Sequence, residues 1–146
     1  MLKAEQLVGA WKLQRWEIGY SDDREPSLPF GDDAQGTIMY TPDGYMSAVL
    51  HRAKRGPVST QYVREAPADE KAALFDAFMY YGGRYRIEGD AVIHMVEHAL
   101  NPDLAGTEQL RNVAFDGDHL ILTGEERVEA AGLTRYHKVL WKRATG

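Results

Sequence analysis

The chain has 146 residues, 44% apolar and 27% charged, with a net charge of −5 and no cysteine. That is the length of one domain, expected to span 1–146, which can bury a core without a metal or disulfide staple. The absent thiols exclude disulfides, thiolate metal sites and a cysteine nucleophile, and the negative charge counts against nucleic acid as a partner. MLKAEQLVGAW holds no leader-like apolar run, and no window approaches the about 20 apolar residues of a membrane span. The expected setting is therefore cytoplasmic, with no membrane insertion.

A short helical turn over 4–7 precedes a first strand at about 9–19. Ser21–Asp33, rich in Pro, Gly and Asp, reads as a loop. Strands at 35–41 and 45–51 flank Thr41-Pro42-Asp43-Gly44, where Pro presets the turn and Gly accepts positive φ. Residues 52–67 read as a second loop. A helix follows at 67–81: Pro67 suits its first turn, Asp69 and Glu70 favour its positive end, and Gly82-Gly83 stop it. Leu74, Phe75, Phe78 and Tyr81 fall on one face at helical spacing, which reads as core contact. Further strands are expected at 83–88, 91–98, 107–115, 118–123 and 133–143. Glu88-Gly89-Asp90 and Asp116-Gly117-Asp118 turn two hairpins, and Asn101–Gly106 is a loop. Eight antiparallel strands with one inserted helix predict a mainly β fold, an up-and-down barrel whose closure removes the sheet edges; a sandwich is the alternative.

Side-chain alternation then says which residues point inward. Ile38 and Tyr40 share a face with Met46, Ala48 and Leu50. Tyr85 and Ile87 share one with Val92, His94, Val96 and His98. A two-residue Asp116-Gly117 turn pairs Val113 with Leu120 and Arg111 with Leu122, which carries Gln109 and Arg111 inside. Val139 and Trp141 carry His137. The expected cavity lining is thus Tyr40, Met46, Tyr85, His94, Val96, His98, Gln109, Arg111 and His137. Apolar and aromatic walls with a few polar groups suit a small molecule. A buried guanidinium needs an acceptor, so Arg111 either pairs with a carboxylate, Glu17 or Glu108, or anchors a ligand.

His94-Met95-Val96-Glu97-His98 matches H-x-x-E-H, a zinc-peptidase pattern that needs a helix. On a strand the two histidines lie about 13 Å apart at about 3.3 Å per residue. They cannot share a zinc, and no metal or cofactor is expected. No phosphate-binding glycine loop follows a strand, since Gly82-Gly83 stands at a helix end.

Gly9-Ala10-Trp11 is similar to the G-x-W of lipocalins. The runs PFGDDAQGTIMYTPDGYMS, YYGGRYRI, VIHMVEHALNPDLAGTEQLR and FDGDHLILTG resemble the bacterial and fungal lipocalin-like domain family over nearly the whole chain. The resemblance implies an eight-stranded calycin barrel with an internal cavity, and no single activity; such barrels include carriers and cofactor-free isomerases and cyclases. His94 and Arg111 match the family pattern, whereas His98 and His137 are particular to this sequence. The leading expectation is binding of a small lipophilic or aromatic molecule, an acid or carbonyl compound anchored by Arg111 and His94. The alternative is a cofactor-independent isomerase, cyclase or lyase, with His94 as acid or base, Arg111 stabilising developing negative charge and Tyr40 or Tyr85 donating a proton. A third reading is a structural domain with a polar core. A homodimer is compatible with all three.

Overall fold

Tight hairpin turns shape the chain. Gly44 at φ 94° and Gly117 at φ 61° take a left-handed backbone that their neighbours would resist. The computed structural model describes residues 1–145. Its strands are β1 (Gly9–Tyr20), β2 (Gln35–Tyr40), β3 (Tyr45–His51), β4 (Phe78–Glu88), β5 (Ala91–Ala99), β6 (Glu108–Asp116), β7 (His119–Val128) and β8 (Leu133–Arg143). Each pairs antiparallel with the next, and β8 returns to β1, so the sheet is a closed eight-stranded up-and-down barrel. The helices are α1 (Ala4–Leu7) and α2 (Ala68–Asp76).

α2 is shorter than the expected helix at 67–81. From Phe78 the chain pairs with β3, with Phe78 opposite His51 and Tyr80 opposite Val49. The ladder with β3 overrides the helical spacing of Phe78 and Tyr81. α2 buries none of its side chains, and Phe75 is 45% exposed, so the expected apolar face is not one.

The β2–β3 and β4–β5 registers agree with the alternation: Tyr40 opposes Met46, and Tyr85 opposes His94. The β6–β7 register differs. Asp116 pairs with His119, which puts Val113 opposite Leu122 rather than Leu120. A two-residue displacement preserves the face, so Arg111 and Gln109 keep their inward direction.

One irregularity changes a face. Gly83 pairs with Val96 and Gly82 with His98, which leaves Glu97 as an extra residue on β5. This bulge breaks the alternation, and Ala99 rather than His98 joins the partly buried residues packed on the core. His98 is therefore exposed, which corrects its expected place inside. Gly83 permits the bulge, because a Cβ there would collide with the Met95 carbonyl and stand 2.8 Å from the Glu97 nitrogen.

The barrel is sealed at one end. Leu2 and Leu7 join a core with Trp11, Tyr40, Met46, Tyr85, Val92 and Leu120. The Trp11 indole donates to the Leu7 carbonyl at 2.9 Å, and Asp90 accepts from the Leu2 amide at 3.2 Å. Arg143 donates to the carbonyls of Val8 and Gln6 and lies 3.8 Å from the Trp11 ring centroid. α1 is thus tied across this end. The long connections, 21–34, 52–77 and 100–107, lie at the other.

Candidate functional site

A cavity of about 420 Å³ occupies the barrel above this plug. Its walls are largely apolar: Trp16, Ile38, Leu50, Met79, Leu122 and Trp141. Alternation on facing strands supplies these side chains, and His94, Gln109, Arg111 and His137 join them from β5, β6 and β8. Asn101 and Leu104 line it from the loop after β5, and Glu125 and Glu126 from the end of β7. No α2 residue lines it.

Four residues of the expected lining are therefore present: His94, Gln109, Arg111 and His137. Tyr40, Met46, Tyr85 and Val96 point inward but belong to the packed core rather than to the cavity wall. Tyr85 donates its hydroxyl proton to the Thr41 carbonyl at 2.7 Å and meets Tyr40 edge to face at 5.0 Å. His98 is outside. Tyr81 and Met79 also line the cavity, from a stretch where helical spacing predicts the end of the helix at 67–81. The signal that finds them is the aromatic-rich composition of the run FMYYGGRY, which suits a strand.

His94 is the centre of a buried polar chain. It is 1% exposed, its Nε2 lies 2.7 Å from the Tyr40 hydroxyl, and its Nδ1 lies 2.7 Å from the Tyr81 hydroxyl. Burial, helped by the nearby Arg111 charge, pulls its pKa from 6.5 down to about 3, so the ring is neutral at pH 7. Burial also raises both phenols above their ordinary range, while Arg111 opposes the rise. The chain is thus uncharged throughout.

Arg111 is half-buried and donates to the Leu110 carbonyl at 2.8 Å. Neither carboxylate proposed for it is its partner. Glu108 receives Arg86 on the barrel's outer face through two bonds of 2.7 and 2.9 Å, and Glu17 lies 3.9 Å from Arg15. No ion pair among the described residues includes Arg111. Its guanidinium lies over Gly124, where a Cβ would stand 2.7 Å from Nη1. The glycine makes the room that Arg111 occupies.

At the rim, the Trp16 indole donates to His137 Nδ1 at 3.3 Å, and His137 Nε2 meets Glu126 at 3.0 Å. The indole proton fixes the tautomer: Nδ1 accepts, so Nε2 carries the hydrogen and donates to Glu126. Burial lowers the His137 pKa below 6.5, opposed by the bond to Glu126. His94 and His98 stand on opposite faces of β5, and both His94 nitrogens are engaged by tyrosines, so this pair cannot hold one zinc.

A solved structure of an uncharacterized protein from Bacteroides eggerthii is similar to this chain at 12% identity and a TM-score of 0.42. The match covers 90% of this chain and 98% of that one. No curated protein gives a significant match. The description of a lipocalin-like domain fits residues 8–144, from the start of β1 to the end of β8. With the closed eight-stranded barrel, that places the chain in the lipocalin-like domain family.

Proposed function

We propose that the barrel binds one small, largely apolar or aromatic molecule that carries an acid or carbonyl oxygen, with Arg111 as its anchor. The observation that carries this reading is a half-buried guanidinium that lines a largely apolar cavity and forms an ion pair with neither Glu125 nor Glu126 of the same lining. Evolution of a packed interior usually pairs or removes such a charge, because desolvating it alone is costly. An anionic ligand oxygen supplies the missing counter-charge, and the walls of Trp16, Leu50, Leu122 and Trp141 supply apolar contact.

Proton transfer by His94 is not part of this reading. Both ring nitrogens are already hydrogen-bonded, and a pKa of about 3 leaves it a poor base near neutrality.

Titration with naphthoate tests the proposal, using ethylnaphthalene as the uncharged match. Arg111→Met should weaken naphthoate by about 1.5–3 kcal/mol, the range for a hydrogen bond to a charged group, and leave ethylnaphthalene unchanged. Its thermal stability should hold or rise, since no internal carboxylate is orphaned. A large loss of stability with unchanged naphthoate affinity would make Arg111 a structural residue and end this reading.

A further inference from the structure

The chain through His94 has a direction. A neutral imidazole carries one N–H donor and one acceptor nitrogen, so its two tyrosine partners cannot play the same part. Tyr40 is 2% exposed and does not line the cavity. His94 Nε2 is the hydrogen-bond partner of its hydroxyl among the described residues. An O–H turned elsewhere would be a buried donor without an acceptor, which folded proteins avoid. Tyr40 therefore donates to Nε2. The ring proton then sits on Nδ1 and is donated to the Tyr81 oxygen, 2.7 Å away. Tyr81 accepts that bond, and its own O–H is left over.

Tyr81 lines the cavity. So does Trp141, whose indole Nε1–H is buried and has no partner among the described residues. Arg111 adds a third source of N–H donors. The lining thus offers spare donors from three residues, and a ligand that presents only donors would satisfy none of them.

We propose that the Tyr40–His94–Tyr81 chain is polarised toward the cavity and makes Tyr81, with the Trp141 indole, a committed donor to a carbonyl or carboxylate oxygen of the ligand. This deepens the reading given under Proposed function and rests on it. Tyr81 and Trp141 touch the ligand oxygen; Tyr40 and His94 are positioning residues that set which way the protons point. Successive hydrogen bonds of one sense also polarise each other, which strengthens the last donor.

Two readouts test the two halves. In the full chain labelled with nitrogen-15 histidine, long-range proton–nitrogen correlation should find His94 protonated at Nδ1 and bare at Nε2. A proton on Nε2 overturns the direction of the chain. Binding is then compared for naphthoate, acetylnaphthalene and ethylnaphthalene. Tyr81→Phe should weaken naphthoate by about tenfold or more and acetylnaphthalene by a few-fold, with ethylnaphthalene unchanged. Trp141→Phe, which keeps a ring and removes the N–H, should give the same order of losses and serves if Tyr81→Phe fails to fold. Equal losses for all three probes, or none for any, overturn the donor assignment. Binding of no probe by the unaltered protein sinks the cavity reading and the ligand half of this proposal, while the ring proton still judges the chain.

Discussion

His94 is a histidine that the fold keeps neutral, and this has a thermodynamic signature. In the unfolded chain its pKa is near 6.5, and in the barrel it is about 3. Between those values the unfolded state binds the proton and the folded state does not. Stability from this site is therefore full above about pH 6.5 and falls as the pH drops toward 3, by about 1.4 kcal/mol per pH unit. Carboxylates add their own acid dependence, so the comparison is with His94→Gln. Urea unfolding at several pH values should show the variant with a shallower slope from pH 6 to pH 4; identical slopes would mean that His94 is protonated in the folded barrel. Gly124 offers a second check at this scale. A methyl group there meets the mobile end of Arg111 rather than backbone. Gly124 is buried, but a flexible side chain is what must yield, so Gly124→Ala should cost only about 1 kcal/mol, the low end for overpacking. It should nevertheless weaken naphthoate by displacing the guanidinium, and unaltered affinity would show that Arg111 has other room.

The elements explain which parts of the site were legible. His94 and Arg111 were placed inside by period-two alternation beside Tyr85, Val92 and Leu122. Arg111 stayed inside although the β6–β7 register is displaced, because an even displacement keeps every face. His98 was misplaced because a bulge is a fact of pairing between β4 and β5 and leaves little trace in β5 alone. The trace that exists is Gly83, whose missing side chain lets the extra residue in. Gly83→Val should therefore cost about 1–3 kcal/mol, the usual penalty for forcing atoms into filled space. Chemical denaturation that finds no loss would show the bulge to be freely movable. Tyr81 was missed for another reason. Leu74, Phe75, Phe78 and Tyr81 satisfy a helical period, and short apolar runs fit a strand equally well. The decision comes from β3, whose open edge takes Phe78–Arg84 as its partner. A pairing across the 26 residues between β3 and β4 is not visible in either segment.

For the whole molecule, closure divides the barrel into a packed end and a hollow one. The sequence conveyed the closure through its turns. It did not convey where packing stops, because inward residues at both ends have the same apolar character. Tyr40, Met46 and Tyr85 fill the sealed end, and the space above His94 stays open. Stability should be concentrated accordingly. Trp11 is 2% exposed, bonds the α1 carbonyl and carries the Arg143 guanidinium on its face. Trp11→Ala should cost about 3–5 kcal/mol. Phe75→Ser on α2, where nothing is buried, should stay within about 0.5 kcal/mol. Comparable losses for both, measured by guanidinium unfolding, would mean that α2 is part of the load.

The stacking of Trp16 on His137 has an optical consequence. The rings lie 6.0 Å apart and 22° from parallel, with the indole N–H on the imidazole's acceptor nitrogen. A proton arriving at that nitrogen evicts the indole hydrogen bond and sets a cation, a quencher of indole emission, beside the ring. Neither of the other two tryptophans is stacked on a histidine: Trp11 is in the plug between Phe115 and the permanently charged Arg143, and Trp141 has an unbonded N–H. The fluorescence of this barrel therefore carries a native dye at its doorway, dimmed by acid and re-lit when the doorway histidine gives its proton back.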